Sequence, residues 1–88
     1  MKYHTVNTIT NGVLVNESNI GQRVEWDATL VDLGTGEQHR EFSASGVIEQ
    51  FTLIDSGTGH TWKYVVFVDA VINGKNVVEA GVPVGFFR

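Results

Sequence analysis

Eighty-eight residues suffice for one domain, spanning 1–88, whose core hides somewhat over ~60% of the area that the unfolded chain exposes. Without cysteine there is neither a disulfide framework nor a thiolate metal site, so packing or assembly has to offset the small core. Ten carboxylates against six scattered lysines and arginines give a net charge of −4, and no basic stripe forms, which disfavours a nucleic-acid reader.

Met1 to Thr5 leads into no apolar segment of signal-peptide length, and no run approaches the ~20 residues of a membrane span. The expectation is a soluble intracellular protein, placed in the cytoplasm. Glu25, Asp27, Glu37 and Glu41 form the one loose acidic cluster, read as the solvated face of a hairpin.

In chain order, Lys2 to Thr10 is rich in Thr, Val, Ile and Tyr and runs into Asn11-Gly12, a two-residue hairpin signal before Val13-Leu14-Val15. Asn16 to Gly21 reads as a polar loop. Gln22 to Asp32 alternates, with Val24, Trp26, Ala28 and Leu30 on one face and Arg23, Glu25, Asp27 and Thr29 on the other. Gln38 to Ser43 reads as a solvent-edged return strand anchored by Phe42. Ser43 to Asp55 is favoured as a strand by Thr52 and Ile54, with one helical turn near Val47 as the alternative. Thr61 to Ile72 is the longest strand, and Asn73-Gly74 turns it into Lys75 to Gly81 before Pro83 and the tail Gly85-Phe86-Phe87-Arg88.

Two segments repeat one pattern: Leu30-Val31-Asp32-Leu33-Gly34-Thr35-Gly36 and Leu53-Ile54-Asp55-Ser56-Gly57-Thr58-Gly59. Each ends an apolar run with an aspartate able to bond its own backbone and glycines able to take positive φ, the chemistry of a hairpin loop. The fold class is therefore all-β: a small antiparallel barrel or sandwich of about six to seven strands in meander order. Alternation of loops between the two ends then puts Asn11-Gly12 and both repeats at one end, and Asn16 to Gly21, Ser43 to Gly46 and Asn73-Gly74 at the other.

Asp55-Ser56-Gly57-Thr58 after Leu53-Ile54 resembles the active-site signature of aspartic peptidases of the pepsin and retroviral kind. The resemblance covers six residues and implies Asp55 as a catalytic carboxylate, Ser56 as its loop support, and a homodimer. The other repeat departs from the signature, since Leu33 stands where a hydroxyl is wanted. A mixed metal site of Asp32, Glu37, His39, Asp55 and His60 would follow from the loop order, but loop tips supply no rigid ligand shell, and no metal and no cofactor are expected. The Gly-Thr-Gly runs open strands, not helices, and so make no phosphate cradle. Trp26, Phe42, Trp62, Tyr64 and Phe67 suit a base-stacking barrel for single-stranded nucleic acid, although Trp26, Trp62 and Tyr64 fall on faces assigned to the core.

On the longest strand, Trp62, Tyr64, Val66, Val68, Ala70 and Ile72 are assigned inward, which leaves Val65, Phe67 and Val71 on an outer apolar face. Two covers compete for it: the tail, or a helical turn near Val47, folding over Val65 and Phe67 within one subunit, and another protein or a second copy of the chain, which is favoured. The expected role is a non-enzymatic protein–protein interaction module, homo-oligomeric, that inhibits, scaffolds or decorates a larger protein, in character with a phage or mobile-element accessory protein. Its interface is assigned to Val65, Phe67, Val71, Phe86 and Phe87, with Lys63, Asp69 and Arg88 at the rim. The alternatives are a single-stranded nucleic-acid-binding barrel and a homodimeric aspartic peptidase using Asp55.

Overall fold

Val24, Trp26 and Ala28 are all buried on one face of a ten-residue strand, as their alternation predicts. A computed structural model, which describes residues 2–55 and 57–87, makes that strand β2 (Arg23–Asp32). Around it lie β1 (Tyr3–Ile9), β3 (Gln38–Asp55), β4 (Thr61–Ile72) and β5 (Lys75–Pro83), all antiparallel in one open sheet of order β1-β2-β3-β4-β5. Short 3₁₀ turns occupy Glu17–Asn19 and Val84–Phe86.

The protein is thus all-β, but among the described residues five strands in a single open sheet replace the expected barrel or sandwich of six to seven. Two expected reversals are missing. Asn11-Gly12 makes a local turn inside the β1–β2 connection, where Asn11 Oδ1 accepts from the Val13 amide at 3.3 Å and Asn11 Nδ2 donates to the Arg23 carbonyl at 2.9 Å. Val13 and Val15 are therefore not a strand; they pack over the core as its cover. Ser43 to Gly46 is no loop either, because β3 runs unbroken for 18 residues, with Val47 in the strand and no helical turn. Asn73 (φ 51°) and Gly74 (φ 80°) do form the expected two-residue turn, flanked by the Ile72–Lys75 pair.

Losing those reversals changes the ends at which loops lie. In a meander, each strand carries its two flanking loops at opposite ends, so the two Asp-x-Gly-Thr-Gly segments sit at opposite ends of β3, not side by side.

An open sheet buries a core only if it coils, and β3 supplies the coiling. Its first half pairs with β2 as far as Val47, its second half with β4 from Ala44 onward, and the ladders slip at Ala28/Thr29, Ser45/Val47 and Ile48/Gln50. Such bulges bend a strand and sharpen its twist. On β4 the irregularity falls at Asp69, whose φ is 49°. There the buried positions change from odd to even: Val65 and Phe67 before the kink, Ala70 after it.

The concave side gathers Val24, Trp26, Ala44, Ile48, Val65 and Phe67. Phe87 closes it by bridging Asn7 of β1 and by setting its ring 5.4 Å from Trp26 and 5.8 Å from Phe67. Full burial of Val65 and Phe67 contributes roughly 1.5–3 kcal/mol each.

Candidate functional site

Both repeat aspartates serve their own loops. Asp32, buried, accepts at Oδ1 from the amides of Gly34 (2.7 Å) and Thr35 (3.2 Å); Asp55, exposed, accepts from the Gly57 amide at 2.9 Å. Because β3 separates them, the two carboxylates do not pair within one chain, and Glu37 and His39 lie at the Asp32 end while His60 lies at the Asp55 end. Ser56 lies outside the described residues. Among the described residues no group of three or more His, Asp or Glu side chains is placed to hold a metal ion.

The outer apolar face of β4 exists, but it is built from the opposite set of residues. Val65 and Phe67 are 0% exposed, so the assignment of these two to an interface is corrected: the kink at Asp69 puts them on the same concave side as Ala70. Val71 and Phe87 are half-buried and Phe86 is 42% exposed; Arg88 lies outside the described residues. Asp69 is exposed, and its carbonyl accepts from Arg23 Nη1 at 3.3 Å. Of the five aromatics of the stacking platform, Trp26 and Phe67 are in the core.

The residues that do face outward are Trp62, half exposed, followed by Tyr64, Val66 and Val68, each partly exposed. On this convex side Ile54 pairs across the ladder with Trp62, and Thr52 with Tyr64. The hairpin that carries them outruns its neighbours. β2 has no partner on β3 past Val47, and β5 has none on β4 before Tyr64, so residues 53–55 and 61–63 project as a two-stranded arm. On its tip Leu53 is 69%, Ile54 47% and Trp62 50% exposed.

The arm is tethered from its other face. Leu53 pairs with Lys63 there, and the Lys63 ammonium stands 5.1 Å above the Phe51 ring while ion-pairing with Glu17 of the 3₁₀ turn. That contact holds the Glu17 carboxyl below the usual carboxylate range, the Lys63 hydrogen bond being the main cause. An open, largely apolar groove lined by Ile20, Phe51 and Leu53 lies beneath this pair. Alternation alone does not say which face is which, so it puts Trp62 in the core; the signal that marks it as exposed is its place beside the loop, beyond the reach of any third strand.

Compared with known proteins, the chain matches no family model, no curated protein and no solved structure. Among the described residues no helix is long and apolar enough to cross a membrane.

Proposed function

We propose that this protein is a non-enzymatic protein–protein interaction module that docks a partner protein through the tip of the β3–β4 arm. The observation that carries this reading is the pairing of Ile54 with Trp62, both about half exposed, on a hairpin that extends past the rest of the sheet, with Leu53 exposed on its other face. A tryptophan paired with an aliphatic side chain, raised above its surroundings and with Thr52 and Tyr64 as its polar neighbours on the same face, has the composition of an interface anchor. The sheet, not the loops, fixes its position, so little order is lost on docking.

Affinity capture from the native host, run in parallel with the parent, Trp62→Asp and Leu33→Asp, tests it. Leu33 is 56% exposed and lies in the β2–β3 turn, at the end of β3 opposite the arm. The reading expects a protein retained by the parent and by Leu33→Asp, lost with Trp62→Asp, and bound directly by the purified parent about tenfold or more tightly than by Trp62→Asp. Equal retention by all three chains rejects it.

A further inference from the structure

The open sheet leaves β5 paired with β4 alone among the described residues, so the outer side of Lys75–Pro83 is a sheet edge. The opposite edge, β1, is occupied in part: Phe87 bridges Asn7, and the Leu33 amide donates to the Lys2 carbonyl. Edges are normally blunted by charge, proline or a bulge. In β5 proline comes only at the last residue, and Lys75 and Glu79 are the sole charged side chains. Between them stands Val78, at 88% the most exposed large apolar residue among those described.

We infer that β5 pairs with β5 of a second copy of this chain about a two-fold axis, making one continuous antiparallel sheet of ten strands. The charges favour a copy of the same strand as the occupant. Lys75 and Glu79 are opposite in sign and four residues apart, so an antiparallel register centred on Val77 sets Lys75 against Glu79 of the partner subunit twice over. The same register sets Val77 against its own equivalent and Val78 beside Asn76. A register centred on Glu79 opposes two like charges and is rejected by them. This surface is independent of the arm, which leaves from the other side of β4 and from the opposite end.

Light scattering on a sizing column, with a charge-swap series, tests the pairing. Expected is the mass of two chains for the parent, with a dissociation constant raised about tenfold or more by Lys75→Glu or by Glu79→Lys, each of which creates two like-charge contacts. An equimolar mixture of the two single variants should recover the dimer, since each then supplies the charge that the other lacks. Trp62→Asp should leave the dimer intact. A parent that runs as one chain at its highest soluble concentration overturns the inference, as does a dimer indifferent to both charge changes or one abolished by Trp62→Asp. Far-UV circular dichroism of each variant confirms that the exposed substitutions leave the sheet folded.

Discussion

The backbone of Gly46 and the side chain of Phe67 are in contact across the β3–β4 ladder: a Cβ at position 46 would stand 2.7 Å from Phe67 Cβ. Non-bonded carbons essentially never sit that close, and the neighbour is the root of a buried ring, not the end of a flexible chain. Gly46→Ala is therefore expected to cost about 1–3 kcal/mol by overpacking, read from urea melts. Phe67→Ala should cost about 3–5 kcal/mol by leaving a cavity. Combined, the two changes should cost clearly less than their sum, because removing the ring makes room for the methyl; strict additivity would show that position 46 tolerates a side chain for another reason.

Phe87 joins the two ends of the fold. Its ring meets Trp26 edge-on, with an interplanar angle of 82°, and its backbone bridges Asn7. Phe87→Ala should remove about 2–3 kcal/mol, less than a fully enclosed phenylalanine because the ring is half-buried. It should also shift Trp26 emission to the red as water reaches the indole. Phe86→Ala, at the 42%-exposed neighbour, should do neither.

The same residues show what could be read without coordinates. Alternation placed Val24, Trp26 and Ala28 correctly because β2 is regular over that stretch, and the loop chemistry of Asp32 and Asp55 was legible because it is local: each carboxylate bonds amides two or three residues ahead. The bulges were not legible. An extra residue costs a sequence pattern nothing locally, yet it exchanges the two faces of everything beyond it, and so Val65 and Phe67 changed places with Trp62 and Tyr64. The arm went unread for a related reason. That Leu53, Ile54 and Trp62 are exposed depends on where β2 and β5 end, and nothing near those three residues encodes it.

Glu17 and Lys63 make the arm's tether dependent on pH. The Lys63 hydrogen bond lowers the Glu17 carboxyl from its ordinary value, so the tether's contribution is complete above that value and is lost as pH falls through the lowered one. A ¹³C titration of the Glu17 carboxyl is expected to show a midpoint below the ~4.3 of a free glutamate. Lys63→Met should raise the midpoint toward the ordinary value, the backbone hydrogen bond to Glu17 remaining, and, by removing the cation above Phe51, alter that ring's chemical shifts. Both carboxylate and ammonium are solvated, so added salt should weaken the shift.

Asp69 holds the switch between the faces of β4, and its backbone, not its charge, should matter. A φ of 49° is left-handed, a region that aspartate and asparagine tolerate and that costs other L-residues roughly 1–2 kcal/mol. The Arg23 guanidinium bonds the Asp69 carbonyl at 3.3 Å, a contact that survives any change of side chain. Asp69→Asn should thus leave stability within about 0.5 kcal/mol of the parent. Asp69→Gly relieves the steric cost but loosens the unfolded chain, and the two nearly cancel, for a net change of at most about 1 kcal/mol. Asp69→Val should cost at least about 1–2 kcal/mol, since a β-branched residue resists positive φ. If valine instead forced the strand straight, Val65 and Phe67 would have to leave the core to keep register, which would lower the denaturation midpoint far more. Urea melts of the three variants distinguish these cases, and equal stability of the valine and asparagine proteins would show that the kink is not what orients the strand.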